Sequence, residues 1–532
     1  MILFTRTLFA RALPVITSRS AARTVVALGL ATLLAACGTN PVTGKRELQF
    51  ISTTQEIAMG AQAYFPTRQA QGGDYIVHEG VTRYVQRVNN REATASDRDL
   101  PYEIVVLNSS VPNAWAMPGG KMAINRGLLT ALGSEAELAA VLGHEIVHAA
   151  ARHSAKGQER GLLLQTGLLA TQIAVAGEAY GGLAATGAML GATLINTRYG
   201  REAELESDLY GMEYMHRAGY NPAAAIDLQQ TFVKLSEGRQ SGWLEGLFAS
   251  HPPSQERVER NRETAARLGG ADLEYGRERY KAAIAPLVKD QAAYEAHDNA
   301  LKAARADDFA TAGREIDKAI RLQPREAKFH GLKGDMALHK KQYQAANRHY
   351  DKAIGLYPDY FAFHLQKGVA LQELGNDKAA RAAFEKSNAL LPTPNAQKAL
   401  GDLALAGGDR ALAIEYFSAA AAANSAIGQE AALSMATLEL EERPGKYLKT
   451  RLARDQAGQI VVGVSNQSPV PVTRVEVSVA YFDQYGRQVS EVQRYPLRGS
   501  LPPGEQGVIT TRLTDGSGLR AAVSSARIAK QR

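Results

Sequence analysis

Hydrophobic positions recur with a helical period through the first half of the chain, and one segment breaks that pattern. Residues 102–107 (YEIVVL) predict a strand, and residues 115–124 follow with a turn sequence inside them. Ser134 and Glu137 then have the spacing of a capping box, which predicts the start of a helix running through Ile146. We therefore predict a mainly α-helical domain with a small β-sheet at residues 47–285.

A period of 34 residues appears after about residue 293. Pro324, Pro358 and Pro392 follow one another at this spacing. Small residues and one large residue precede the prolines at fixed offsets, and a fourth copy lacks the proline. The four sets are Ala300, Ala312, Ile316 and Ala319; Gly334, Ala346, Tyr350 and Ala353; Gly368, Ala380, Phe384 and Ser387; and Gly401, Ala413, Phe417 and Ala420. This helix–turn–helix period resembles the tetratricopeptide repeat (TPR) and predicts an α-solenoid at residues 293–425.

The hydrophobic pattern changes again near the C-terminus. Residues 459–464 and 475–482 alternate apolar and polar positions, and residues 508–513 predict another strand. Pro502, Pro503 and Gly504 supply a turn. We predict a small antiparallel, sandwich-like β domain at residues 450–532, with no catalytic constellation in it.

The first 36 residues predict an export signal. Arginines precede an apolar stretch at residues 24–36, which is too short to span a bilayer. Its end, Leu34-Ala35-Ala36-Cys37-Gly38, resembles the lipobox of bacterial lipoproteins, in which the cysteine is lipidated and becomes the new N-terminus. The alternative is an ordinary secretory signal with a chance cysteine. We predict a signal peptide at residues 1–36, lipidation at Cys37 and a polar tether at residues 37–46.

A second apolar segment has two interpretations. Residues 161–196 are rich in glycine and alanine. We favour a pair of buried helices, and the other interpretation is a hairpin that touches the membrane near the lipid anchor.

Composition and charge exclude several classes of protein. Hydrophobic residues make up 45% of the chain and charged residues 22%, as in a folded protein rather than a disordered one. The net charge of +7 includes four leader arginines, so their removal leaves +3 and indicates no nucleic-acid partner. The single cysteine excludes an internal disulfide.

The sequence His144-Glu145-Ile146-Val147-His148 lies inside the helix that Ser134 opens. Residues four apart share one face of a helix, so the two imidazoles can converge on one metal ion. The flanking residues are apolar, and burying these polar side chains without a partner would be costly. A catalytic zinc site also needs a third protein ligand and an open position for water. The acidic segment at residues 201–208 follows on another predicted helix.

These two segments together resemble the gluzincin metallopeptidases of the HtpX and BepA group, metallopeptidase family 48. Further matches are Asn40-Pro41-Val42-Thr43-Gly44, residues 113–120, and Ser250-His251-Pro252-Pro253. The repeats behind the catalytic domain are also similar to this group. The resemblance covers roughly residues 40–425.

The resemblance implies a role for each matching residue. His144, His148 and Glu204 would bind one zinc ion per chain. Glu145 would act as general base, because it follows a ligand directly. Asp208 shares a helix face with Glu204 and is suited to accept a hydrogen bond from a ligand histidine. We interpret His153, farther along, as structural.

Three further assignments concern the surroundings of the zinc. Arg257 is the candidate donor to the tetrahedral oxyanion. The strand containing Asn113, Ala114, Trp115 and Ala116 is either a site for an extended peptide or simply a sheet edge. His251 is either a latch that takes the fourth zinc position and displaces the catalytic water, or a residue that serves structure or substrate.

The predicted function is that of a zinc metalloendopeptidase of the bacterial cell envelope. It would be lipid-anchored at the periplasmic side of the outer membrane and would degrade misfolded or unassembled envelope proteins, a substrate class that comes from the resemblance alone. The alternative is a chaperone or assembly factor for outer-membrane proteins, which contacts the assembly machinery through its TPR module while proteolysis is secondary. The intact zinc-binding motif favours catalysis.

Overall fold

The computed structural model describes residues 37–159, 199–237 and 251–529. The chain divides into two compact units, with the boundary between Tyr294 and Glu295. The predicted signal peptide and the apolar segment at residues 161–196 lie outside the described residues. Among the helices that are described, none combines the length and the apolar character that a membrane span requires.

The first unit is mainly helical. Its strands are β1 (Cys37–Thr39), β2 (Arg46–Leu48), β3 (Glu103–Leu107), β4 (Ala114–Ala116) and β5 (Lys121–Asn125). Its helices are α1 (Thr53–Ala70), α2 (Glu79–Ala93), α3 (Arg126–Leu129), α4 (Glu135–Ala150), α5 (Arg201–Arg217), α6 (Ala223–Glu237), α7 (Gln255–Leu268) and α8 (Arg277–Lys289).

A small sheet with the strand order β3-β5-β4 confirms the predicted strand near residue 102. Val105 pairs with Ala123 in parallel, and Trp115 pairs with the same residue in antiparallel. Tyr64 of α1 packs in the core beneath the sheet. Because β4 has only one neighbour among the described strands, it forms an edge of the sheet.

Helix α4 begins where the sequence predicts. The Ser134 hydroxyl accepts a hydrogen bond from the Glu137 amide, which caps the first turn. The helix is buried along its whole length and crosses α5 where glycines face each other. A Cβ atom added to Gly211 of α5 would come within 2.9 Å of the His144 amide nitrogen. This close approach brings side chains of α5 next to the histidines of α4.

The predicted polar tether is instead a β-hairpin that is held against the first unit. Cys37 pairs with Leu48 across strands β1 and β2. The buried Asn40 side chain accepts hydrogen bonds from two amides of the turn and donates one to the carbonyl of Ala151, with an N–O distance of 2.9 Å. An asparagine that closes a turn in this way folds the segment back onto the protein.

The second unit contains helical hairpins followed by strands. Helix α9 (Gln291–Arg305) spans the boundary, and the others are α10 (Phe309–Leu322), α11 (Ala327–His339), α12 (Tyr343–Leu356), α13 (Phe361–Glu373), α14 (Asp377–Leu390), α15 (Pro394–Ala406), α16 (Arg410–Ala421), α17 (Ala426–Glu439) and α18 (Pro444–Tyr447). The strands are β6 (Leu448–Arg454), β7 (Ile460–Asn466), β8 (Val472–Tyr481), β9 (Gln493–Pro496), β10 (Ser500–Leu501), β11 (Gln506–Thr510) and β12 (Leu519–Ile528).

The helical hairpins confirm the predicted repeat. A Cβ atom on Gly334 would come 2.6 Å from the ring of Tyr350, and one on Gly368 would come 2.5 Å from the ring of Phe384. The small residues therefore let each aromatic ring pack between the two helices of its own hairpin. The hairpins continue beyond the predicted end at residue 425, because Ala431 of α17 joins the last hydrophobic cluster.

The C-terminal strands form antiparallel sheets, as predicted. One sheet has the order β10-β8-β12, with β9 also paired to β8, and the other has the order β11-β7-β6. Val464 of one sheet and Val477 of the other share a single core, which is the arrangement of a sandwich. The hydrophobic pattern of the sequence did not predict strands β6, β9, β10 and β12, because few of their residues are buried.

Candidate metal centre

Two histidines of α4 form the base of the centre. His144 and His148 are one helical turn apart and lie on one face, with their Nε2 atoms 3.0 Å from each other. Both side chains are buried, and the side chain of His148 is fully shielded from solvent. The structure therefore brings the pair together as the spacing of the sequence predicts.

Glu204 reaches the same point from α5. Its carboxylate oxygens lie 3.6 Å from His144 Nε2 and 3.5 Å from His148 Nε2. The glycine crossing between α4 and α5 makes this approach geometrically feasible. Glu204 is buried, like the histidines that it faces.

His251 completes the cluster from the segment that precedes α7. Its Nδ1 atom lies 3.3 Å from His144 Nε2 and 3.1 Å from Glu204 Oε1. One donor atom from each of the four residues lies within 4.8 Å of the others. Residues 246–250, which precede His251, lie outside the described part of the chain.

The donor set fits a zinc ion. Zinc bonds to nitrogen and oxygen of about 2.0–2.2 Å in a tetrahedron place the ligand atoms about 3.3–3.6 Å apart, and the observed separations run from 3.0 to 3.6 Å. The Nδ1 atom of His144 already bonds a carboxylate, so the Nε2 atom of the neutral ring carries a lone pair. Three imidazoles and a carboxylate that face each other in this way could therefore share one metal ion.

Asp208 and Arg257 form a buried ion pair behind the ligands. Asp208 accepts a hydrogen bond from His144 Nδ1 at 2.9 Å, as predicted for the residue that orients this ring. Arg257 contacts Asp208 at 2.6 and 2.7 Å and Glu204 at 2.9 Å. Burial by itself would raise the pKa of Asp208, but the charge and hydrogen bonds of Arg257 lower it.

These contacts correct the role predicted for Arg257. Its Nε, Nη1 and Nη2 atoms are all engaged with Asp208, Glu204 or the carbonyl of Pro252. A guanidinium committed in this way cannot turn toward a tetrahedral oxyanion without taking its charge away from two buried carboxylates. Arg257 therefore neutralises the carboxylates of the site and is not an oxyanion donor in this structure.

Glu145 faces the cluster from the neighbouring position on α4. Its Oε1 atom lies 3.5 Å from His251 Nε2, and its buried Oε2 atom has no hydrogen-bond partner among the described residues. Burial raises the pKa of Glu145, and the nearby histidine charges oppose that effect. A carboxylate with a free oxygen and a raised pKa is suited to accept a proton and return it.

Two further side chains surround His148, although neither was predicted to belong to the site. His153 Nδ1 lies 2.9 Å from His148 Nδ1. The ring of Tyr199 stacks on His148 with a centroid distance of 3.9 Å. The positions of His153 and Tyr199 in the sequence do not have a spacing that indicates a metal site. His153 reaches His148 only because the turn after α4 brings it back.

An apolar pocket opens beside the cluster. His144, Glu145 and Asp208 line one side of it, and Ala114 of the edge strand β4 lines another. The remaining walls are mostly hydrophobic and include Leu128, Val141, Met212, Met215, Leu228 and Phe232. Of the predicted substrate strand, Ala114–Ala116 is strand β4, and Asn113 pairs its carbonyl with the Asn125 amide.

Residues 78–265, which include all of these cluster residues, match peptidase family M48. This stretch of the chain is therefore similar to the peptidases of family M48. The mitochondrial metalloendopeptidase OMA1 of Schizosaccharomyces pombe is 31% identical over 222 residues, which are 41% of this chain and 63% of that protein. The beta-barrel assembly-enhancing protease of Escherichia coli (strain K12) is 27% identical over 221 residues, which are 39% of this chain and 43% of that protein.

The matched region is a part of this chain and also a part of each relative. The chain covers less than two thirds of the length of either relative. Among solved structures, a TPR domain of Arabidopsis OM64 is matched over 22% of this chain and 98% of that chain, with 21% identity and a TM-score of 0.22.

Proposed function

We propose that this chain is a zinc-dependent metalloendopeptidase that cleaves misfolded or unassembled proteins of the bacterial envelope. The observation that carries the proposal is the buried cluster of His144, His148, Glu204 and His251 with Glu145 beside it. The similarity to peptidase family M48 supports the same class of reaction.

The residues of the site divide the chemistry between them. His144, His148 and Glu204 would hold the zinc ion, which when bound polarises a carbonyl and makes water acidic near neutral pH. Glu145 accepts the proton of the attacking water at its free oxygen and passes it to the leaving amine. Asp208 holds the ring of His144 in the orientation that directs Nε2 toward the metal.

The substrate class rests on two observations. The pocket beside Glu145 has hydrophobic walls and suits an apolar side chain, and such side chains become accessible mainly in unfolded proteins. Strand β4 lies at the edge of its sheet and next to this pocket, so an extended peptide can add to it by main-chain hydrogen bonds. The name of the Escherichia coli relative refers to β-barrel assembly, which agrees with unassembled proteins as substrates.

The variant Glu145→Gln tests the proposal. It removes the general base and no proposed zinc ligand, so we expect one zinc ion per chain as in the wild type and a loss of cleavage of at least about 10²-fold. Zinc content by metal analysis and cleavage of an unfolded protein measure the two quantities. Glu204→Ala is the companion variant, and we expect it to lose zinc as well. Near-normal proteolysis by Glu145→Gln would refute the assignment.

A second candidate function is that of a chaperone or assembly factor. The TPR hairpins favour it, because such modules present extended surfaces to other proteins. The partner would be the outer-membrane assembly machinery. If Glu145→Gln still prevents aggregation of an unfolded envelope protein, the chain has this activity independently of cleavage.

We also propose that the chain is lipidated at Cys37 and anchored at the periplasmic side of the outer membrane. The lipobox-like sequence before Cys37 supports the modification. Gly38, rather than an aspartate, follows the cysteine, so no obvious signal retains the chain at the inner membrane.

A further inference from the structure

A chain of polar contacts leads from His148 away from the metal cluster. His148 Nδ1 lies 2.9 Å from His153 Nδ1, and His153 Nε2 lies 3.4 Å from Glu206 Oε2. Glu206 then contacts the ammonium group of Lys45 at 2.6 Å. His153 is buried, whereas Lys45 is exposed at the hairpin between β1 and β2.

Metal binding by His148 selects one arrangement of protons along these contacts. A ligand nitrogen must present a lone pair, so a neutral His148 that binds through Nε2 carries its proton on Nδ1. That proton requires an acceptor, so His153 accepts at Nδ1 and carries its own proton on Nε2. The Nε2–H of His153 points toward Glu206, a carboxylate, which is an acceptor by nature.

The position of His153 depends on the turn after α4. Arg152 has a φ of 63°, a left-handed conformation that is uncommon for residues other than glycine. Two buried carboxylates hold it there, since Arg152 Nε contacts Glu56 at 2.6 Å and Nη2 contacts Glu159 at 3.1 Å. The turn reverses the chain and returns His153 to the ring of His148 five residues earlier.

We propose that His153 is a positioning residue that fixes the tautomer and ring orientation of the ligand His148, with Glu206 as its own acceptor. It is the counterpart of Asp208, which does the same for His144. The inference rests on the proposed metal site and names the residue that supports its second histidine. Lys45 contributes less than Glu206, because an exposed ion pair has little effect on stability.

Zinc affinity separates this role from a merely structural one. His153→Phe keeps a ring of similar size but removes both nitrogens, and we expect it to weaken zinc binding about 10–100-fold. His153→Asn restores an acceptor oxygen near the position of Nδ1, and we expect it to recover most of the affinity. Competition with a chelator of known affinity measures zinc binding in the full chain, and thermal unfolding of the zinc-free protein reports on structure.

His216→Phe is the matched control, because this histidine lies on α5 and contacts none of the cluster residues among the described side chains. Unchanged zinc affinity in His153→Phe would overturn the proposal, and so would equal losses in the Phe and Asn variants. Should His153→Phe fail to fold, Glu206→Leu removes the outer acceptor and is expected to weaken zinc binding by several-fold, and wild-type affinity there would also overturn it. A wild-type protein that binds no zinc would refute the proposed function instead.

Discussion

Buried charges around the metal centre balance one another. Arg257 is the single guanidinium described between Asp208 and Glu204, and all three groups are buried. A buried carboxylate that loses its partner is strongly destabilising, whereas a pair at the surface contributes little. The stability of the zinc-free protein should therefore depend on Arg257.

We predict that Arg257→Met lowers the free energy of unfolding of the zinc-free protein by about 3–5 kcal/mol, because Asp208 and Glu204 remain buried without the guanidinium charge that balances them. Denaturant unfolding measures the change. Arg260→Met is the matched control on the same helix, since Arg260 pairs with Glu263 at an exposed position. We expect it to change stability by less than about 1 kcal/mol. Equal effects of the two substitutions would contradict the prediction.

His251 occupies the fourth position of the cluster. Its role determines whether a substitution there raises or lowers the rate of cleavage. If it is a latch, His251→Ala keeps zinc, because His144, His148 and Glu204 remain, and it raises basal cleavage, including self-cleavage. The latch would exclude the catalytic water until substrate displaces the ring. Zinc content and cleavage of an unfolded protein are measured together, with His216→Ala as control. Zinc-loaded His251→Ala with reduced turnover would show that the residue serves substrate or structure.

The helices of the TPR module approach each other at positions that admit no side chain. Gly368 of α13 lies against the ring of Phe384 in α14, at the contact where an added Cβ would come 2.5 Å from the ring. Gly355 of α12 has no neighbouring atom within 4 Å of an added Cβ. The two glycines therefore differ in packing although both lie in helices.

We predict that Gly368→Ala destabilises the second unit by about 1–3 kcal/mol, because the methyl group forces the ring of Phe384 to move. Gly355→Ala is the control and should be neutral or stabilising by up to about 1 kcal/mol, because alanine favours a helix more than glycine does. Thermal unfolding of the full chain compares them. A Gly368→Ala protein as stable as Gly355→Ala would mean that the hairpin has room to adjust.

Across the whole chain, the predicted anchor site is followed directly by folded structure. Only two residues separate Cys37 from Asn40, whose side chain bonds the carbonyl that follows α4. A lipid on Cys37 would therefore hold the first unit close to the membrane surface. The two residues between Cys37 and Asn40 allow much less movement than a flexible tether would.

We predict that Cys37→Ser releases the protein from the membrane fraction or leaves it uncleaved, because serine cannot form the thioether to lipid. Mass spectrometry of the N-terminal peptide tests for lipid, and fractionation tests for membrane attachment. Cys37→Ala provides a second variant without a thiol. An unmodified wild-type peptide together with unchanged fractionation in both variants would refute the anchor.

Local patterns along the chain determine much of this protein before any tertiary contact is considered. His144 and His148 share one face of a helix because of the helical period alone. The 34-residue repeat follows from hairpins that stack in register. The resemblance to metallopeptidases added Glu204 and Asp208, which the structure places beside the histidines. These features were accessible because each is local or recurs at a fixed interval.

Other features depend on long-range packing and left no pattern in the sequence. Arg257 is committed to Asp208 and Glu204 because α7 packs against α5, a contact between residues about fifty positions apart. His153 meets His148 because Arg152 takes a left-handed conformation that Glu56 and Glu159 hold in place. Such contacts follow from which surfaces bury each other, and a periodicity in one segment carries no information about its distant partner.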